Sequence, residues 1–260
     1  MTQGNDELTI ETRGHVAVLT LNAPERLNAL SQEIFQKLGE SWTSLAADPV
    51  IRAVVLTGTG RGFCSGAHTG GLASAASRPA EEQAPTYPLF TARHYKFYKP
   101  VITAVNGVCA GAGLHFVADS DIVIAGESAR FVDTHTDVGQ VSALEPIGLL
   151  RRISLEHVLR MVVLGRAGGI DAAEAFRIGM VSEVTPDAEL MDRAMELADI
   201  AASVSPATVQ ASLRAIWESF ELPLSEAYDL GYSIIRAHRD HPDALEGALA
   251  FSQRRTPVWS

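Results

Sequence analysis

The feature that most constrains this chain is a set of short, almost wholly apolar runs, each stopped by small or polar residues. Ile51-Arg52-Ala53-Val54-Val55-Leu56-Thr57 stops at Gly58, and Pro100-Val101-Ile102-Thr103-Ala104-Val105 stops at Asn106-Gly107. Asp121-Ile122-Val123-Ile124-Ala125 is a third of the same kind. Runs this short and rich in β-branched residues read as buried strands, because a buried helix needs about 10–12 residues. Val16–Leu21, closed by Asn22-Ala23-Pro24, and the shorter Arg130-Phe131-Val132 extend the set. Between the first two runs Ser31 can cap a helix whose Ile34, Leu38, Trp42 and Leu45 share one face.

The second half turns helical. Asp171 with Glu174 makes a capping-box-like start and Gly179 a stop. Residues 181–184 read as a last short strand. Ser205-Pro206 opens a new helix with proline at the tolerated first position, and two more follow, over 224–238 and roughly 243–254. The expected architecture is one α/β core with a helical tail, divided softly at 204–206 into regions 1–204 and 205–260. Residues 69–88, rich in Ala, Gly, Ser and Pro, read as an excursion over whatever the preceding loop binds.

Composition excludes several classes. A chain of 260 residues with net charge −10 repels phosphate backbones, so no nucleic acid is expected as a partner. It can still hold an anionic ligand through local Arg, Lys and backbone N–H groups. Two cysteines, Cys64 and Cys109, make no disulfide framework and no metal-ligand spacing. The first residues lack a signal peptide's apolar region, and the Gly- and Ala-rich stretch 101–117 is broken by His115. The expectation is a cytoplasmic protein with no membrane span, no metal and no redox cofactor. Neither a phosphate loop nor a dinucleotide fingerprint is present.

Three segments in order carry a resemblance. They are Asn22-Ala23-Pro24-Glu25-Arg26-Leu27-Asn28-Ala29-Leu30, then Gly62-Phe63-Cys64-Ser65-Gly66-Ala67, then Lys99 to Gly107 with Gly111-Ala112-Gly113 and Ser120-Asp121-Ile122-Val123-Ile124-Ala125. With the ending Glu246-Gly247-Ala248-Leu249-Ala250-Phe251, the chain resembles the enoyl-CoA hydratase/isomerase family, the crotonases. The resemblance implies a crotonase-like spiral of ββα units and a C-terminal helical region that builds a homotrimer or a dimer of trimers. It implies an acyl-coenzyme A substrate, coenzyme A entering only as part of that substrate. It also implies an oxyanion hole from the backbone N–H groups of Ala67 and Ala112. Charge that develops on a thioester oxygen needs fixed donors in a dry site, each worth ~3 kcal/mol. Arg26, Leu27, Ser65 and Ala67 fall where the family meets coenzyme A; Phe251 and Arg254 match a pair that reaches a neighbouring subunit's ligand.

The same resemblance exposes two departures. The family's paired glutamates fall by position on His115 and His135, and its Gly-x-x-Pro-Gly-x-Gly stretch reads Gly139-Gln140-Val141-Ser142-Ala143-Leu144-Glu145 here. Imidazoles titrate near neutrality and can move protons. Asp137 lies two residues after His135 and Asp133 two before, so either can orient the ring if the local strand is regular. Glu145, at an expected helix start, is a third acid or base. His68 and His94 flank the excursion, and both cysteines read as packing residues. Three readings fit: hydration of an enoyl thioester; another crotonase-type reaction, such as β-dicarbonyl carbon–carbon cleavage, thioester hydrolysis or a double-bond shift; or acyl-CoA binding without turnover. The set His115, His135, Asp137 and Glu145 loosely resembles family members that cleave β-diketones.

Overall fold

The computed structural model describes residues 6–67 and 90–260; the excursion expected at 69–88, and His68, lie outside them. The chain opens with β1 (Leu8–Arg13) and β2 (Val16–Leu21), paired antiparallel. A helix, α1 (Gln32–Ala47), leads to β3 (Ala53–Gly58) and β4 (Gly62–Cys64). Next come β5 (Val101–Val105), β6 (Val108–Ala110) and α2 (Leu114–Asp119). They are followed by β7 (Ile122–Gly126) and β8 (Arg130–Val132). The remainder is mostly helical: α3 (Leu144–Leu149), α4 (Leu155–Leu164), β9 (Ile170–Asp171), α5 (Ala172–Arg177) and β10 (Glu183–Thr185). Four longer helices close the chain: α6 (Leu190–Ser203), α7 (Pro206–Ser219), α8 (Leu224–His238) and α9 (Pro242–Gln253).

The described strands form two sheets, one ordered β1-β2-β3-β5-β7-β10 and the other β4-β6-β8-β9. Each turn of the chain lays one strand in each sheet: β3 then β4, β5 then β6, β7 then β8. Within each sheet these successive strands are parallel. This is the ββα spiral that the resemblance implies.

Strand alternation explains the burial. In β3, Val54 and Leu56 face the main core, whereas Ala53 and Val55 face a second apolar cluster. That cluster is closed by α6, whose Leu190, Ala194, Ala198 and Ala202 recur every fourth residue and so share one stripe. The expected caps form. Ser31 Oγ accepts from Ile34 N–H at 3.2 Å, Asp171 from Glu174 N–H at 2.9 Å, and Ser205 from Thr208 N–H at 3.1 Å. The last strand sits at 183–185, two residues beyond its expected start. The strand β1 carried no alternation to announce it, because every residue after Leu8 is exposed.

Between the helical tail and the core, Trp217 Nε1 donates to Asp121 Oδ1 at 2.7 Å and Tyr98 Oη to Glu218 at 2.9 Å. Among the described residues no helix is long and apolar enough to cross a membrane.

Candidate active site

The first wall of the site is the loop that follows β4. Its anchor is Asn28, which is fully buried. The Asn28 side-chain nitrogen donates to the carbonyls of Thr59 (3.0 Å) and Gly62 (2.7 Å), and its oxygen accepts from Ala23 N–H (2.8 Å). Leu27 and Asn28 are both left-handed, at φ 51° and 56°. Asparagine tolerates that region; leucine does not, and is held there by its surroundings. Ser65 N–H donates to the Leu27 carbonyl (2.9 Å), Ser65 Oγ to the Arg26 carbonyl (3.1 Å) and Leu30 N–H to the Gly66 carbonyl (2.8 Å). The segments 22–30 and 62–67, far apart in sequence, are thereby one rigid unit.

The second wall is the turn Gly111–Gly113 at the head of α2. The walls touch. A Cβ placed on Gly66, at φ 98°, would come 3.1 Å from the Ala110 carbonyl oxygen and 3.4 Å from the Ala112 nitrogen. Only glycine allows this approach. Gly113 packs as tightly on Cys64, where a Cβ would stand 2.8 Å from the backbone oxygen. Burial pushes the Cys64 thiol up to about 12, and the Cys109 thiol up as well, so both are inert packing groups.

Between the walls lies a pocket of about 310 Å³ lined by Phe35, Ala67, Ala112, His115, His135 and Glu145, among others. His115 is buried on α2 and meets the edge of Phe90, ring centres 5.3 Å apart. Its Nε2 stands 3.5 Å from Glu145 Oε1, and His135 Nε2 stands 3.7 Å from the same oxygen. Glu145, in the first turn of α3, is itself buried. One carboxylate therefore faces two imidazoles.

His135 is oriented from behind. Asp133 Oδ1 lies 2.9 Å from His135 Nδ1 and accepts the His135 backbone N–H at 3.0 Å. An ionised acceptor puts the proton on Nδ1 and leaves Nε2 for the pocket. Asp133 is only 1% exposed, and Ser142 Oγ donates to its other oxygen. Burial pushes the Asp133 carboxyl up, but the hydrogen bonds from His135 and Ser142 outweigh it and hold the carboxyl below its ordinary range. The His135 imidazole is raised above its ordinary value, chiefly by the hydrogen bond to Asp133. Burial opposes the shift and Glu145 adds to it.

Asp137 takes a different place from the one expected. The chain leaves β8 at Val132 and curls into a turn over Thr136–Val138, so strand alternation does not extend to it. Its Oδ2 accepts the Arg166 N–H at 2.7 Å, which ties the site loop to the turn Gly165–Gly168; it does not line the pocket. Asp133 does the orienting, through a local side-chain-to-backbone turn rather than a shared strand face. Ser142, Phe90 and the bracing role of Asn28 escaped sequence reasoning. Their partners come from other elements and leave no local pattern.

The proposed coenzyme A contacts divide in two. Leu27, Ser65 and Arg26 sit in the braced loop, with Ala67 at its end on the pocket. The Arg26 guanidinium is already paired with Glu7 and lies 3.3 Å from Glu25. Phe251 is 89% exposed on α9 and Arg254 ends that helix at φ 54°; neither lines the pocket.

Comparison with known proteins bears on the family and the fold. The family model described as enoyl-CoA hydratase/isomerase matches residues 11–260. An (E)-benzylidenesuccinyl-CoA hydratase of Thauera aromatica is 35% identical over 97% of this chain and 98% of its own length. A carnitinyl-CoA dehydratase of Proteus mirabilis is 32% identical over 98% of each. The crystal structure of an enoyl-CoA hydratase/isomerase from Mycobacterium paratuberculosis superposes with a TM-score of 0.88, at 36% identity and 99% coverage of both chains. With the ββα spiral, the two abutting glycine loops and the match over nearly all its length, the chain belongs to the enoyl-CoA hydratase/isomerase family.

Proposed function

We propose that this protein is an acyl-coenzyme A lyase that adds water across a 2,3-double bond, or removes it, using imidazole and carboxylate in place of a glutamate pair. The observation that carries the reading is Glu145 Oε1 within 3.5 and 3.7 Å of the two imidazole Nε2 atoms, in the pocket that Ala67 and Ala112 line. The thioester oxygen takes the N–H groups of Ala67 and Ala112. Neutral His135 accepts a proton from water at Nε2 as the water oxygen bonds to C3. The C2–C3 π pair moves onto C2 and the thioester oxygen, where the backbone donors stabilise the charge. The resulting imidazolium, paired with Asp133 and Glu145, returns a proton to C2. His115 and Glu145 orient the water.

Coenzyme A runs out past the loop of Arg26, Leu27 and Ser65, with Arg26 exchanging its carboxylate partners for phosphate. Phe251 and Arg254 serve a neighbouring copy's ligand in a homotrimer or a dimer of trimers.

A second reading rests on the Asp133–His135 pair. A ring oriented by a buried carboxylate is a general way to activate water for attack on a carbonyl, as β-dicarbonyl cleavage requires. Loss of the conjugated thioester absorbance with crotonyl-CoA and with aryl-substituted enoyl-CoA esters, followed from pH 5 to 9, separates the readings. Turnover supports the lyase. Cleavage of a β-dicarbonyl substrate without enoyl turnover selects the second reading. Tight coenzyme A ester binding with neither reaction leaves a non-catalytic binding protein. His135→Ala abolishes turnover and leaves coenzyme A affinity nearly intact; unchanged activity removes His135 from the mechanism.

A further inference from the structure

Behind the wall of the pocket stands a further imidazole that the mechanism above does not use. His94 lies in the turn Arg93–Tyr95 and is half-buried. Its ring centre is 6.2 Å from that of His115 and 6.0 Å from that of Phe90, and both of those residues line the pocket. His94 Nδ1 accepts the backbone N–H of Phe90 at 3.2 Å and that of Thr91 at 3.3 Å. A backbone N–H can only donate, so Nδ1 carries a lone pair and the ring proton sits on Nε2. Thr91 Oγ1, 3.1 Å from the same nitrogen, gives its own proton to Asp119 Oδ2 at 2.6 Å. The side chain thus reaches back to N–H groups three and four residues earlier, as the third residue of a capping box does.

These bonds fix Phe90 at one end, and Trp42 fixes it at the other. Trp42 Nε1 donates to the Phe90 carbonyl at 2.8 Å. The Phe90 ring then meets His115 edge to face, with centres 5.3 Å apart and planes at 88°. His115 Nε2 stands 3.5 Å from Glu145 Oε1. One string of contacts therefore runs from His94 through Phe90 to His115 and Glu145. The ionisable groups acting on His94 are Asp119 and His115. Burial pushes the His94 imidazole below its ordinary value; Asp119 opposes this and His115 adds to it. A cation at His94 would give up both N–H bonds and would repel any positive charge on His115.

We propose that His94 is a positioning residue for the reaction: as a neutral acceptor it fixes the Phe90 backbone, and through the Phe90 ring it sets the angle at which His115 meets Glu145. This rests on the lyase reading, in which His115 and Glu145 orient the water. His94 itself touches neither substrate nor water.

Two substitutions separate the acceptor from the packing. Asn places an oxygen where His94 Nδ1 stands, whereas Leu fills space and accepts nothing. With crotonyl-CoA, or whichever ester or β-dicarbonyl the protein turns over, His94→Leu should lower kcat about ten- to a hundredfold with little change in KM. His94→Asn should keep most of kcat. In a His115→Phe background, His94→Leu should cost nothing further, because the group it positions is gone. Nitrogen NMR of histidine-labelled protein should show His94 neutral and protonated on Nε2 from pH 6 to 8. Overturning results are His94→Leu as active as the parent, His94→Asn no better than His94→Leu, an equal loss in both backgrounds, or a His94 ring protonated on Nδ1. If the parent turns over none of these substrates, the lyase reading fails by itself. The His115 ring signals then decide: displaced in His94→Leu and restored in His94→Asn they support the positioning, and unmoved they overturn it.

Discussion

Asp133 keeps its charge although almost no solvent reaches it, because donors point at both of its oxygens: His135 Nδ1 and N at one, Ser142 Oγ at the other. That charge sets the proton affinity of His135. Since the imidazole is raised above 6.5, it is cationic below its folded value and neutral above it. A base must be neutral, so kcat/KM should rise with pH through a limb above 6.5. In Asp133→Asn the main cause of the shift is gone, and the limb should move to lower pH. A limb that stays in place in the variant would show that Asp133 does not tune the ring. The same ion pair enters stability with a definite sign. The raised His135 contributes stability that is full below its unfolded value near 6.5 and is lost as pH rises through the folded value. Glu145→Gln keeps the shape and removes the charge between the imidazoles. It should lower kcat by about 10²- to 10⁴-fold with little change in KM. A rise in KM alone would make Glu145 a binding residue.

At the scale of elements, the site is assembled from joints between loops, and Asn28 is the main joint. It satisfies two carbonyls, one in the loop between β3 and β4 and one at the start of β4, and one N–H of the stretch after β2. Asn28→Ala takes this partner from the Ala23 N–H and the Thr59 carbonyl, and leaves the Gly62 carbonyl only the longer bond from Asn106 Nδ2 at 3.4 Å, at about 1–3 kcal/mol for each group left unsatisfied. Urea unfolding should show that loss together with a fall in activity, because the Gly66 wall depends on the same joint. Unaltered stability would mean that water or a backbone shift replaces the amide. The alanine stripe of α6 is a second such joint. Ala198 is fully buried against the sheet, and Ala198→Leu should cost about 1–3 kcal/mol by overpacking.

Over the whole molecule, the helical tail leaves apolar surface that a lone chain has no use for. Leu224, Tyr228, Tyr232 and Ile235 lie along one side of α8, and Tyr228 is 70% exposed. With exposed Leu245 and Phe251 on α9, this favours self-association. Sedimentation equilibrium should give three or six chains per particle at micromolar concentration, and Tyr228→Lys/Tyr232→Lys should shift the particle toward smaller species. A monomer in the parent protein would remove Phe251 and Arg254 from any shared coenzyme A site.

The buried strands, the main caps and the order of the two glycine loops were legible in the sequence. Each rests on local physics: an apolar run of strand length, a hydroxyl or carboxylate before a helix, a glycine where φ is positive. The resemblance to the enoyl-CoA hydratases could be read for the same reason, since its motifs are contiguous. The resemblance also brought forward His115 and His135, and an expected helix start Glu145, but the sequence could not show that one oxygen of Glu145 faces both rings. Between Asp133 and Asp137 it had no means to choose, because the choice depends on where β8 ends and the chain begins to curl. The hydrogen bond from Trp217 to Asp121 was invisible in the sequence. Whether a buried donor finds a partner is decided by the packing of α7 against Asp121, a contact between residues 96 positions apart. Local propensity determined the elements and their order. The side-chain pairs that carry charge and protons were decided by tertiary packing, because their energies depend on distance and burial rather than on sequence neighbours.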